Sequence, residues 1–255
     1  MRSNPLVVET LHGITRPGRA QMDYLLYLFV LAAVVFVWWP KHTLTQTLQR
    51  QDAPDTLLAA LLVCGAILAY YSARAGAEEF LLEGQHGLRD WAIGTELALA
   101  RILRGYVAAH LLHSVHLIAL SLPIMLLAFH ISGGQWPALL LCLVLILCQA
   151  MFYKLAAAVI YIAIGHHGAL NAISIRAFIV AIYLASTFSV PFASHIVLTS
   201  RVLDGGSSAH VRIDPSSAPA QFMALYIALS ACAFYILYRQ LSRLRTEHSS
   251  EATSP

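Results

Sequence analysis

Three histidines recur at every third position, His110, His113 and His116, inside an otherwise apolar stretch. Imidazoles at that spacing can ligate a metal or a haem iron, line a polar path, or bond to neighbouring helices as neutral groups. Each step of three turns a helix by roughly 300°, so the trio drifts slowly around one face. A haem would need a facing ligand at similar depth. His42, His130, His166, His167 and His195 all fall near the ends of apolar blocks instead. Lys154 is a cation within an apolar block, and Gln149 precedes it by about one turn. Running toward the inner surface, Lys154 is expected to snorkel to water. Asp23 is the one carboxylate close to an apolar block. There is no Ser-His-Asp set, no pair of intramembrane carboxylates and no HExxH, so no catalytic residue is expected. Cys64, Cys142, Cys148 and Cys232 lie within apolar blocks without CxxC spacing and read as small packing residues, with no metal site among them. The chain lacks GxxxxGK[ST], so any step driven by ATP needs another chain to hydrolyse it.

A second chemistry lies between two apolar blocks, in residues 74–105. Only 11% of the chain is charged, yet this segment holds Arg74, Glu78, Glu79, Glu83, Arg89, Asp90, Glu96, Arg101 and Arg104. It is either a solvated connection or a surface for a soluble partner. Arg89, Asp90 and Trp91 together offer charge for pairing and an aromatic to fill a pocket, the combination that anchors protein interfaces.

The elements that must position these groups are membrane helices. Hydrophobic residues make up 58% of the chain and the mean hydropathy is +0.68. A soluble domain of 255 residues cannot hide so much apolar surface in one core. The apolar residues form blocks long enough to cross a hydrocarbon core of ~30 Å. Six spans are expected, at 22–39, 56–73, 107–129, 137–164, 177–193 and 219–238. The runs are continuous rather than alternating, so helices are expected and not a barrel. Trp38, Trp39 and Trp136 suit interfacial belts. The first span reads as an anchor rather than a cleaved signal. Of the 16 Lys and Arg, eleven fall on the side shared by both termini, four on the other, and Lys154 lies inside a block. The positive-inside rule then places both termini in the cytoplasm. The net charge of +3 reflects that topology, and no nucleic-acid partner is expected.

Residues 4–16 carry Leu6, Val7, Leu11 and Ile14 at helical spacing, with Asn4 as a cap and Pro5 in the first turn. They read as an amphipathic helix lying in the interface. Gly133 and Gly134 make a tight hairpin between the third and fourth spans. Residues 194–217 are expected to include a short helix on the outer surface, and residues 246–255 to form a disordered tail. Pro123 and Pro191 are expected to kink their spans.

These features together resemble the membrane subunit of an ATP-binding-cassette (ABC) transporter of the ABC-2, type V exporter-like class. Asn4-Pro5-Leu6-Val7-Val8-Glu9 is similar to the opening of the elbow helix in such permeases, with Val8 where an Arg is usual. Glu83, Gly87 and Leu88 resemble the family's E-x-x-x-G-T-L segment. Ile102-Leu103-Arg104-Gly105-Tyr106 resembles its I-L-x-G-K run, with Tyr106 in place of Lys. The common Thr-Pro-Leu-Ser is replaced by Glu96-Leu97-Ala98-Leu99. The resemblance implies an all-α six-span bundle with an elbow helix and a cytoplasmic coupling helix between the second and third spans. It implies that residues 84–93, with Glu83, Gly87, Arg89, Asp90 and Trp91, dock on a separate ABC-type ATPase holding ATP and Mg. It further implies a second permease copy or paralogue, a bacterial inner-membrane location and export. The competing reading is a haem- or metal-binding membrane protein that uses the His110, His113 and His116 face.

Overall fold

The computed structural model describes residues 7–8, 19–42, 45–46, 53–78, 94–95, 97–133, 136–164, 173–179, 181–182 and 218–251. Among them there is no strand. Five long helices carry the architecture: α1 (Arg19–Val37), α2 (Pro54–Glu78), α3 (Leu99–Ser132), α4 (Trp136–Ile164) and α5 (Ala218–Glu251). Residues 173–179 are also helical. Pro54–Ala77, Leu99–Ser132, Trp136–Ile164 and Pro219–Glu247 are each long and apolar enough to cross a membrane. The chain is an all-α, multi-pass membrane protein. Five of the six expected spans fall on α1 to α5, and most of the one at 177–193 lies outside the described residues.

Local sequence explains the helix ends. α2 opens on Pro54, whose missing N–H costs nothing in a first turn, and Asp55 there interacts favourably with the positive end of the helix dipole. Thr56 Oγ1 donates to the Trp38 carbonyl at 2.7 Å, tying the start of α2 to the end of α1. α3 stops at Gly133, whose φ of 63° is the left-handed cap that a side chain resists. α4 then begins at Trp136, and the Phe129 and Trp136 rings meet at 4.4 Å. The expected hairpin between α3 and α4 is therefore tight and antiparallel.

The bundle core is layered along its length. One apolar layer joins Leu31 of α1, Leu61 of α2, Met125 of α3 and Cys142 of α4. The other joins Ala73 and Ala77 of α2, Leu103 and Tyr106 of α3, Tyr153 and Ala157 of α4, and Leu237 and Leu241 of α5. α4 is central: it packs most extensively on α2 and α5 and also meets α3, whereas α1 packs on α2 and α3. The close α2–α4 approach rests on small residues. At Gly76 an added Cβ would run into the Lys154 carbonyl oxygen and lie 2.9 Å from Ala157 Cβ.

Three helices extend beyond the expected spans. α2 runs to Glu78, α3 already begins at Leu99, and α5 continues to Glu251. The expected loop at 74–105 is thus helical at both margins. The tail expected to be disordered from Thr246 is helical as far as Glu251. At the start of α3, Leu99, Ile102, Leu103 and Tyr106 form a buried stripe in the same apolar cluster as Ala73 and Ala77 of α2 and Leu237 and Leu241 of α5. At 34 residues, α3 and α5 are each ~51 Å long against a hydrocarbon core of ~30 Å, so both project from the bilayer.

Candidate functional site: a polar waist and a charged cavity

Four buried polar side chains of α3 and α4 gather where the two apolar layers meet. His110, Ser114, Gln149 and Lys154 are all buried. His110 Nε2 lies 3.4 Å from the Ala150 carbonyl oxygen and 3.4 Å from Ser114 Oγ. A carbonyl can only accept, so Nε2 carries the proton and the two oxygens share it. Gln149 Nε2 donates to Tyr153 Oη at 3.1 Å and to Tyr226 Oη at 3.4 Å, which joins α4 to α5.

Lys154 departs from expectation. It sits 18 residues beyond Trp136, ~27 Å along the axis, near the far limit of the hydrocarbon core. Yet only 3% of it is exposed, so it does not snorkel. The projecting start of α3 covers it, and its Nζ stands 4.0 Å from the centroid of the Tyr106 ring. That cation–π contact offsets part of the cost of removing an ammonium from water, by about 2 kcal/mol for a desolvated pair.

The histidine trio divides. His110 turns to α4, whereas His113 and His116 turn to α1, with Tyr24 ring centroids at 6.0 and 5.4 Å. Because the His110 Nε2 proton is committed to a carbonyl, that nitrogen has no lone pair for a metal. Among the described residues no three His, Cys, Asp or Glu side chains come together in a way that could hold a metal ion.

His113 instead forms a wall of a cavity of about 160 Å³, lined by Asp23, Tyr24, Tyr71, Arg74, Ala75, His113 and Leu117. Asp23 Oδ2 and Arg74 Nη1 form an ion pair of 3.3 Å across it, linking α1 to α2. Tyr71 Oη donates to the Asp23 carbonyl at 3.3 Å. The cavity lies where α1 begins and α2 ends. Asp23, Arg74 and His113 stand far apart in the sequence, and no local pattern signals that they share a cavity.

No family model, curated protein or solved structure matches this chain. The site must therefore be read from its own residues.

The third feature is the projecting platform. Arg245 of α5 donates through Nη2 to the Thr95 carbonyl at 2.7 Å and to the Leu97 carbonyl at 3.0 Å. One guanidinium therefore fastens the C-terminal helix to the residues that lead into α3. The docking residues expected from sequence, Glu83, Gly87, Arg89, Asp90 and Trp91, lie outside the described residues. So do Asn4, Pro5 and Glu9 of the expected elbow helix, and the outer segment at 194–217. Val7 and Val8 between them are helical and half-buried.

Proposed function

We propose that this chain is the membrane-spanning subunit of an ATP-driven transporter of the ABC-2 kind, an exporter of the bacterial inner membrane with both termini in the cytoplasm. It works as a dimer, with a second copy or a paralogue. A separate ABC-type ATPase, carrying ATP and Mg, docks around residues 84–93, through Gly87, Arg89, Asp90 and Trp91 with the adjoining Glu83.

The observation that carries the reading is the Arg245 strut. A loop that transmits force from an ATPase must be fixed to the helices it moves. Here the residues between α2 and α3 are held at their C-terminal end by a guanidinium from α5, and the start of α3 and the later turns of α5 belong to one buried cluster. A merely solvated connection needs neither. The parallel course of α4 and α5 also supports the six-span layout. Phe222 of α5 packs on Leu145 of α4 at one end, and Gln240 Nε2 donates to the Val159 carbonyl at 3.5 Å toward the other. Two parallel neighbours joined in sequence require a crossing between them, which the span proposed at 177–193 would supply. ATP shifts such a bundle only by binding its two states with different affinity.

The test is a tagged purification from mild detergent, with mass spectrometry of the co-purifying chains. The expected result is a stoichiometric ABC-type ATPase that is lost when Arg89→Glu is combined with Trp91→Ala. Its absence overturns the proposal, as does its retention by a folded double variant.

A further inference from the structure

We infer that an anionic phospholipid binds the exposed face of α5, with its phosphate at Arg239 and Arg243 and an acyl chain along the apolar residues that precede them. Leu229, Cys232, Ile236, Arg239 and Arg243 follow one another at steps of three, four, three and four. That spacing keeps all five on one side of a helix. All five are exposed. The stripe is therefore apolar over its first three members and basic over its last two.

The change of character falls at a definite depth. No Asp, Glu, Lys or Arg occurs from Ala218 to Tyr238, and the helix there is long and apolar enough to cross a membrane. From Pro219 to Arg239 the axis rises roughly 30 Å, the thickness of a hydrocarbon core. Arg239 thus stands at the headgroup level, with Arg243 about one turn beyond it. At that level the anion supplied by the bilayer itself is the lipid phosphate.

The two side chains are placed to take it. Among the described residues neither guanidinium has a hydrogen bond or an ion pair. Arginines four positions apart lie side by side, and their planar forks match phosphate oxygens. Both line a cavity of about 340 Å³ with Tyr235, Ile236 and Gln240, within the roughly 300–1,000 Å³ usual for small-molecule sites. Gln240 Nε2 donates to the Val159 carbonyl of α4 at 3.5 Å, which ties this turn of α5 to the bundle.

A second copy of the chain is the competing occupant of this face. Copies in one membrane share an orientation, so a symmetric contact here would set Arg239 and Arg243 against their own equivalents. Like charges so placed oppose association. An anionic headgroup turns the same two charges into an attraction.

The experiment uses the purified full chain in a nonionic detergent and native mass spectrometry. The probes are dioleoylphosphatidylglycerol, dioleoylphosphatidylcholine and sn-glycerol 3-phosphate. Phosphatidylglycerol is expected to bind more tightly than phosphatidylcholine, which has the same chains and no net charge. Arg239→Gln and Arg243→Gln are each expected to weaken phosphatidylglycerol by roughly fivefold, the worth of one basic side chain beside anionic lipid. Arg104→Gln, which removes an exposed arginine from α3 instead, is expected to leave it unchanged. Glycerol 3-phosphate is expected not to compete, because it lacks the acyl chains. Equal binding of the two lipids by the unaltered protein overturns the inference whether or not the variants fold. So does an equal loss in Arg104→Gln, competition by glycerol 3-phosphate, which would make the ligand a soluble anion, or the absence of phosphatidylglycerol binding. A second copy on this face would instead give a crosslink between copies under mild oxidation that Cys232→Ser abolishes, and that result also overturns it.

Discussion

Gly76→Ala is the most direct test of the helix packing. The new Cβ would meet the Lys154 carbonyl oxygen of α4, with the Lys154 carbonyl carbon at 3.1 Å and Ala157 Cβ at 2.9 Å. Carbon pairs prefer about 3.5–4.0 Å, and the first obstacle is backbone rather than a flexible side-chain end. The helices must separate, an overpacking cost of about 2–3 kcal/mol at the upper end of the usual range. Replacing glycine in a helix returns up to about 1 kcal/mol. The net loss is then about 1–2 kcal/mol, which for a chain of this size lowers the melting temperature by roughly 2–8 °C. Gly94→Ala is the control, because nothing lies within 4 Å of the corresponding Cβ. It is expected to change stability by less than about 0.5 kcal/mol. The assay is thermal unfolding of the two variants in one detergent, followed by tryptophan fluorescence. A Gly76→Ala protein as stable as the Gly94→Ala protein would refute the α2–α4 contact.

Two further outcomes follow from the waist and the platform. A double-mutant cycle between Lys154→Met and Tyr106→Leu, with Tyr106→Phe as the ring-preserving control, is expected to give a coupling of about 0.5–2 kcal/mol in thermal unfolding. Zero coupling would remove the cation–π contact from the account. Arg245→Gln is expected to speed hydrogen exchange at the Arg101 and Ile102 amides, which bond to the Ala98 carbonyl at the start of α3. The loss of charged hydrogen bonds there is worth roughly 1.5–3 kcal/mol. Exchange at the unaltered rate would show that the strut does not hold that segment.

The membrane class and the course of α1 to α5 were legible because continuous apolar runs leave few alternatives. The projecting ends were not. In α3 the buried stripe of Leu99, Ile102, Leu103 and Tyr106 has ordinary helical spacing, but Arg101 and Arg104 between its members lower the local hydropathy. The same segment therefore reads as loop when hydropathy alone sets the boundary. Lys154 follows from that omission. Its depth was readable, but its burial depends on α3 lying over it, a contact with residues about fifty positions earlier. The histidine spacing reads as three imidazoles on a slowly turning face. It could not reveal that α4 faces His110 while Tyr24 of α1 faces the other two. Asp23 and Arg74 are separated by most of two spans, and no local pattern pairs them.

The contacts that join the helices are unevenly placed. α2 and α4 are locked at Gly76, α4 and α3 meet through Lys154 and Tyr106, and α5 is joined to the start of α3 by Arg245. These three connections cluster at one end of the bundle, where α2 finishes and α3 begins. α1 is outside this set. It meets α2 and α3, and its polar ties among the described residues include the Asp23–Arg74 pair, the Tyr71 bond, the Thr56 bond and the contact of Tyr27 Oη with Cys64 Sγ at 3.3 Å. The first two border the cavity. Loss of the Asp23–Arg74 pair therefore loosens α1 from α2 while leaving the connections among α2, α3, α4 and α5 in place.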